Sequence, residues 1–444
     1  MHISVDLHSH SGASGGVGEI RLDRVAETMR RKGIRVFGTG DCLHEGWLAT
    51  LEAALVGAEP GLFRLREGDA AARFLLQTEI ILTAPVAGGG RKKVHCIFLF
   101  PSLGAARTVA GLLDGWSVKR SIGRPFLICA DAGQVAERLS AIAAVDGGIE
   151  IIPAHVMTPD GIYGSNNPVT TLAEFFGEFA RSIRVVETGL SADPLVLALI
   201  PELDTRALMS NSDGHCEALN RVGREYTTLD AADLSYDGLI AALRGRRIVS
   251  TAEFTPAEGR YFLTGHRPGK NGHGADEFCY YSPDCVPEGN QCPICGKTLT
   301  VGVLQRALEL SRLQGGNRTV ETARPAQAYR TLVPLIEVAA AGLSVRSIAS
   351  RKVLSAYERL VADVGGEVGF WELPAAEAVA RCERLDLPGI ARAVGQIHAG
   401  DYAFAPLGYD GEYGELQLGM RVGWFGHAVV SGAGRERQGV LLSG

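Results

Sequence analysis

Short apolar runs alternate with segments of helical periodicity along the first 255 residues. The strand-like runs are "ISVDL" (3–7), "IRVFGTG" (34–40), "FLLQTEIIL" (74–82), "VHCIFLF" (94–100), "PFLICA" (125–130), "IEIIPAH" (149–155), "IRVVETG" (183–189) and "ALMSNSD" (207–213). Between most of them lie amphipathic stretches: "RLDRVAETMRRKG" (21–33), closed by Gly33 as a C-cap, "DAGQVAERLSAIAA" (131–144), "TTLAEFFGEFA" (170–180) and "SYDGLIAALRG" (235–245). Strands alternating with helices predict an α/β fold with parallel pairing and a closed or nearly closed barrel. An open doubly wound sheet is the alternative. No Gly-x-Gly-x-x-Gly follows the first strand, which counts against a dinucleotide site.

The pattern changes after residue 255. "PAEGRYFLTGHRPGKNGHGAD" (256–276) is rich in Gly and Pro and reads as a linker or hinge. A cysteine cluster follows, then a helix over "TVGVLQRALELSRLQGG" (300–316). From about residue 318 a third region holds helical "YRTLVPLIEVAAAGLS" (329–344) and "SRKVLSAYERLVADVGG" (350–366), and later the Gly-rich "PLGYDGEYGELQLG" (406–419). The expected division is 1–258, 259–317 and 318–444.

A chain of 444 residues with 46% hydrophobic content is ordinary for two or three globular domains. No run of eighteen apolar residues predicts a membrane span. The start reads directly into a strand, without a basic and apolar leader, so a cytoplasmic location is expected. The net charge of −6 argues against indiscriminate coating of polyanions. It leaves nucleic acid open, because carboxylates that hold divalent ions are neutralised by them.

The positions of the ligand-type residues are more informative than their number. His8 and His10 are two apart after the first strand, so in an extended chain their imidazoles project together. Asp41 and His44 follow the second strand, Glu79 lies in the third and His95 in the fourth. His155, Glu187, Asp213 and His215 fall at the ends of later strands. In parallel barrels the active site is built at such C-terminal ends. Polar residues do cluster at strand ends as turn formers, but so many imidazoles and carboxylates there predict a polynuclear metal site. Imidazole with carboxylate suits Zn, Mn or Fe, with Mg as a further candidate, and a bridging Glu can hold two ions about 3.5–4 Å apart. There is no Ser nucleophile elbow or phosphate-cradling P-loop, which leaves metal-assisted phosphoester hydrolysis as the favoured chemistry.

"CYYSPDCVPEGNQCPICG" has Cys-x5-Cys-x6-Cys-x2-Cys spacing. The Cys292-Pro-Ile-Cys295 knuckle turns two thiolates onto one ion, and Cys279 and Cys285 are the expected partners in a structural zinc site. Arg221 and Arg224 can contact a phosphate or form ion pairs. Tyr409 and Tyr413 can stack on bases or pack in a turn. "QGVLL" (438–442) is faintly similar to a sliding-clamp peptide.

The His-x-His opening and Asp-x-His close resemble the PHP superfamily of metal-dependent phosphoesterases. The resemblance implies a distorted (β/α)7 barrel in which His8, His10, Glu79 and Asp213 hold one metal and Glu79, His95 and His155 a second. His215 with His44 and Asp41 would hold a third. The further His that many members carry after His-x-His is missing here, where residues 11–16 read "SGASGG". More narrowly, "IIPAH-TP", "VVETGLSADP", "SNSDGHC-RVGRE", "TGHRPG", "CPICGKTLTVGVLQRALEL" and "PLGYDGEYGELQ" resemble the endonuclease Q family. That resemblance implies a catalytic PHP barrel, a small zinc-ribbon-like domain and an α+β C-terminal domain that binds DNA. It also implies hydrolysis 5′ to uracil, hypoxanthine, xanthine or an abasic site, leaving a 3′-hydroxyl and a 5′-phosphate, with Asp213, Glu79 and His10 expected to carry the catalysis. Two segments depart from the family pattern: "DGIYGSNNPVTT" (160–171), which keeps Tyr163 but lacks the usual Trp, and "KNGHGADEFCYYSPDC" (270–285). Two other readings are a PHP phosphoesterase with another substrate and a non-catalytic DNA-binding protein that keeps the fold.

Overall fold

The computed structural model describes residues 1–15 and 17–431, so the "QGVLL" segment lies outside the described residues. The helix Leu22–Lys32 shows how sequence sets the local structure. Its Leu22, Val25, Ala26 and Met29 are buried on one face, and Gly33 ends it at φ 83° with its N–H on the Met29 carbonyl. A left-handed residue at that position favours glycine. Asp131 caps the helix Ala132–Ala143 by accepting from the Gln134 N–H.

An eleven-stranded sheet organises the α/β part. His2–Asp6 runs parallel to Val36–Gly38, which runs parallel to Arg73–Pro85, as the alternating pattern predicts. Elsewhere the sheet is mixed, which corrects the expectation of parallel pairing throughout. His2–Asp6 is antiparallel to Tyr226–Asp230, and Arg73–Pro85 is antiparallel to Arg91–Phe100. For Arg73–Pro85 and Arg91–Phe100 the reason is the connection "VAGGG" (86–90), a tight turn in which Val86 and Gly90 hydrogen-bond. A parallel crossover needs a dozen or more residues, and none are available there. Val185–Glu187 and Ala207–Met209 form a separate parallel pair.

Strands of both sheets send Val5, Val36, Leu75, Ile97, Ile152, Val185, Met209 and Leu229 into one buried cluster. Leu239 and Leu243 of the helix Tyr236–Arg244 join it. The opposite strand faces pack beneath the surrounding helices. Each such side chain contributes roughly 1.5–3 kcal/mol on full burial.

Helices Leu335–Gly342, Arg351–Val361, Gly366–Glu372, Ala375–Arg384 and Pro388–His398 form a bundle with its own core. It joins the α/β part through Tyr329–Thr331, which adds a parallel edge strand to Ile248–Glu253. It is also held by a buried ion pair of Lys32 Nζ and Glu367 Oε1 at 2.7 Å. The helix Val303–Leu313 packs on the α/β part, its buried Arg306 donating to the carbonyls of Tyr163 and Val169. No helix among the described residues is long and apolar enough to cross a membrane.

Candidate metal centre

The loop "SNSDGH" is fastened to the His-x-His segment by its own backbone. His10 N donates to Gly214 O at 2.9 Å, Gly214 N to His8 O at 3.2 Å, and Leu7 N to Asn211 Oδ1 at 2.7 Å. Gly40 lies so close to this segment that a Cβ on it would fall 2.8 Å from the His10 carbonyl carbon. Asp41, His155 and Asp213 all have positive φ (42°, 30° and 46°). Left-handed non-glycine residues cluster where surrounding structure holds them for function.

Ligand atoms of His8, His10 and Asp213 converge within 4.8 Å of one another, and so do those of Glu79, His95 and His155. Glu79 lies between the two groups. Its Oε1 is 2.7 Å from His95 Nδ1, 3.3 Å from His155 Nε2 and 3.7 Å from His8 Nε2. Its Oε2 is 3.6 Å from His10 Nε2, and Asp213 Oδ1 is 3.1 Å from the same nitrogen. His8 Nε2 and Glu79 Oε2 are buried without a hydrogen-bond partner. Such orphaned atoms are costly unless something binds them. Divalent ions held by His8, His10 and Asp213 and by His95 and His155, with Glu79 available to both, would satisfy these atoms, so the donor set fits divalent metals.

The electrostatics agree. Burial alone would lower the His8 pKa, but the carboxylates of Glu187, Asp213 and Glu79 raise it to about 10. His10 is likewise raised to about 9 against burial, by Asp213, Asp41 and Glu79. Burial would raise Glu79 and Asp213, yet the surrounding imidazoles hold both well below the usual carboxylate range. Such a field demands positive charge, as a proton or as a metal.

Several residues position the ligands. Glu187, which the sequence places at a strand end without a role, accepts from His8 Nδ1 at 3.0 Å, from Asn211 Nδ2 at 2.8 Å and from His155 N at 2.8 Å. It thus turns His8 Nε2 inward. Asp41 sits behind His10 at 3.4 Å and accepts from Ser11 and Ser14, so it orients a ligand in place of joining a third cluster. His44 is engaged elsewhere: its Nδ1 accepts from Trp47 N and caps the helix Glu45–Ala54. His215 packs its ring 4.6 Å from that of His10 and directs Nδ1 to the Asp213 carbonyl. Among the described residues, Asp41, His44 and His215 do not converge as the other two groups do. Arg124 Nε lies 4.0 Å from Glu79 Oε2. Tyr163 is fully buried, with its hydroxyl on Glu202 at 2.6 Å. Tyr409 is buried against Tyr280, while Tyr413 is exposed.

A third convergence, among Cys292, Cys295, His266 and His273, differs from the four expected thiols. His266 Nδ1 is 3.5 Å from Cys295 Sγ, and His273 Nε2 is 3.3 Å from Cys292 Sγ. Each ring's other nitrogen donates to a carbonyl, His266 to Thr298 at 3.0 Å and His273 to Glu277 at 2.9 Å, which aims the free nitrogen at the sulfurs. The set has the composition of a two-Cys, two-His tetrahedral zinc site. Cys279 lies beside it, 3.6 Å from Cys292, with burial and that thiol pushing its pKa up to about 12. Cys285 is not brought in; its side chain bonds the Asp284 carboxylate. The signal for the histidines was their spacing within "TGHRPGKNGHG", which the Gly-rich composition masked.

No protein-family model matches the sequence. An uncharacterized protein of Bacillus subtilis, YqxK, is 26% identical over 328 residues, 70% of this chain and 77% of that one. An uncharacterized protein of Methanocaldococcus jannaschii is 24% identical over 295 residues, 64% of this chain and 35% of that one. Two solved structures are similar over nearly the whole length. The lesion-specific endonuclease PfuEndoQ from Pyrococcus furiosus has TM-score 0.75 and 26% identity, covering 94% of this chain and 96% of that one. An Endonuclease Q complex with a 27-mer duplex bearing an abasic lesion at the active site has TM-score 0.74 and 25% identity, covering 94% and 97%. Fold and site together define an enzyme of the metal-dependent nuclease and phosphodiesterase class. Within that class the chain is similar to endonuclease Q over nearly its whole length.

Proposed function

We propose that this chain is a DNA repair endonuclease that hydrolyses the phosphodiester 5′ to deaminated bases or abasic sites, leaving a 3′-hydroxyl and a 5′-phosphate. The observation that carries the reading is Glu79 lying between two imidazole-rich ligand groups in a fold similar to two endonuclease Q structures. His8, His10, Glu79 and Asp213 would hold one ion and Glu79, His95 and His155 the second, within a PHP-type barrel. Divalent ions in such a pair supply an acidified water and neutralise charge at phosphorus.

The chain's own residues prepare that chemistry. Glu187 and Asp41 orient His8 and His10. Arg124, close to Glu79, offers a guanidinium to a bound phosphate. His215 has an accepting Nε2 once Nδ1 donates to the Asp213 carbonyl, and burial lowers its pKa, so it can take a proton from the attacking water and, once protonated, return it to the leaving oxygen. Mispaired deaminated bases cost less to extrude, which favours lesions over matched pairs. Residues His266, His273, Cys292 and Cys295 would hold a structural zinc, and residues 318–444 would contribute to DNA binding.

The test incubates the protein and Mn²⁺ or Mg²⁺ with end-labelled duplexes carrying uracil, hypoxanthine, an abasic site or no lesion. A single nick 5′ to each lesion is expected. Equal cutting of damaged and undamaged duplexes would refute the lesion-specific reading.

A further inference from the structure

The loop that follows His155 turns back on itself and is held from outside by two buried cations. Its inner bonds are local: Gly161 N donates to Thr158 O at 2.7 Å, Tyr163 N to Val156 O at 2.8 Å and Gly164 N to Gly161 O at 3.0 Å. A Cβ on Gly164 would fall 1.8 Å from the Thr158 carbonyl oxygen, so only glycine lets the chain close there. From outside, Lys92 Nζ donates to Gly164 O at 2.9 Å and to Asn166 O at 2.8 Å. Arg306 donates to Tyr163 O at 3.1 Å and to Val169 O at 2.8 Å. Gln314 Nε2 takes the next carbonyl, that of Thr170, at 2.7 Å.

Lys92 is an unusual fastening. It lies in Arg91–Phe100, the strand of His95, and its side chain is fully buried. Among the described residues, the lysines with a carboxylate within 4.0 Å are Lys32 and Lys270. Burial and the neighbouring Arg306 lower the Lys92 pKa to about 7, and Asp160, outside ion-pair range, only partly offsets them. Burying an amine with no carboxylate beside it costs free energy that an apolar side chain would not. The loop that it closes gives that cost a purpose.

Thr158 Oγ1 donates to His155 O at 2.9 Å, which leaves its lone pairs to His155 Nδ1, also 2.9 Å away. In the neutral ring Nδ1 therefore carries the hydrogen. Nε2, 3.3 Å from Glu79 Oε1, is the free donor atom in the group with His95. We propose that Lys92 and Arg306 are positioning residues: by holding the loop closed they keep Thr158 against His155, which fixes the tautomer and the aim of a metal-binding nitrogen. This rests on the reading of Glu79, His95 and His155 as a metal site. Both cations act at one remove, since their hydrogen bonds go to loop carbonyls and to none of the metal-binding side chains. Supports of this kind change metal affinity about 10–100-fold.

The test measures Mn²⁺ binding by equilibrium dialysis, and the Mn²⁺ dependence of nicking, on the full chain and its variants. Thr158→Val, which removes the hydroxyl, should weaken Mn²⁺ binding about tenfold or more and raise the Mn²⁺ needed for half-maximal nicking equally. Its rate at saturating Mn²⁺ should stay near wild type. Thr158→Ser, which keeps the hydroxyl, should restore binding. Lys92→Met and Arg306→Met should each weaken binding by no more than Thr158→Val does. In the Thr158→Val background either should add less than about twofold, because all three act on one ring. Wild-type affinity in Thr158→Val, no recovery in Thr158→Ser, or a full Lys92→Met effect in the Thr158→Val background would overturn the positioning role. Wild-type protein that binds no Mn²⁺ would instead refute the metal-site reading on which it rests.

Discussion

The centre around Glu79 and the cluster around Cys292 are both built from residues that bind metals, yet they are made in opposite ways. The first takes its candidate ligands from strands and the segments just after them, Glu79 and His95 from within Arg73–Pro85 and Arg91–Phe100, where a stiff sheet fixes their directions. The second takes them from irregular chain: a Gly-rich segment supplies His266 and His273, and a knuckle supplies Cys292 and Cys295. In the first, carboxylates lie among the imidazoles and raise their proton affinity. In the second, burial lowers the pKa of His266, and backbone hydrogen bonds from Cys295 and Ile294 lower that of Cys292 despite burial. An open set of nitrogen and oxygen ligands around a shared carboxylate suits hydrolysis, whereas a closed set of two thiolates and two imidazoles suits structure.

The contrast breaks most sharply by substitution. Asp213→Ala should reduce nicking on the order of 10³-fold, because metal-based charge stabilisation is worth several kcal/mol. Its melting temperature in chelator should fall only modestly below that of the wild-type protein in chelator, by the share of His8 and His10 proton binding that Asp213 supports. Cys292→Ser or His266→Ala should act mainly on stability. A structural zinc contributes roughly 10–16 kcal/mol in small zinc peptides, so losing one ligand should lower the melting temperature and the bound zinc together. Cys285→Ser should leave zinc content unchanged. Loss of zinc in Cys285→Ser but not in His266→Ala would restore the four-thiol site.

A smaller effect separates ligands from the residues that aim them. Glu187→Gln should weaken metal binding or activity about 10–100-fold without abolishing either. Full activity would show that His8 needs no such support.

The proton affinities give a pH signature for the first centre. In the metal-free protein His8 and His10 keep protons up to about 10 and about 9, against 6.5 for an ordinary imidazole. Between those values the folded state binds more protons than the unfolded one. That stabilisation is present in full below pH 6.5 and is lost as pH rises through 9–10. Melting temperatures of chelated protein should therefore fall as pH rises from 6.5 towards 10. Metal-loaded protein, in which the ions replace those protons, should show a weaker fall.

Much of the Glu79 centre was legible in the sequence because regular structure projects residues by rule. "ISVDLHSHSG" ends a strand with two imidazoles on one face, and His155 and Asp213 close later strands in the same way. What stayed hidden depended on which of several local and distant partners each side chain takes. Nothing in "GTGDCLHEGW" shows that His44 would cap its own helix, or that Asp41 would be held by Ser11 and Ser14. Hydrophobic alternation likewise identifies a strand but not its partner's direction. That is why the antiparallel pairing of Arg73–Pro85 with Arg91–Phe100 rests on the turn "VAGGG", not on either strand. His266 and His273 were hidden for a further reason: flexible composition reads as a linker until a metal-sized convergence gives it a purpose.

The central claim is that Glu79 joins two metal groups into one phosphodiesterase centre. It is tested most directly by Glu79→Ala and wild-type protein on an end-labelled duplex with one abasic site, measuring Mn²⁺-dependent nicking and DNA affinity on the same preparations. Wild-type protein should yield one 5′ nick, and Glu79→Ala should bind the duplex comparably and leave it uncut. Cleavage retained in Glu79→Ala at the wild-type position would place the chemistry elsewhere in the molecule.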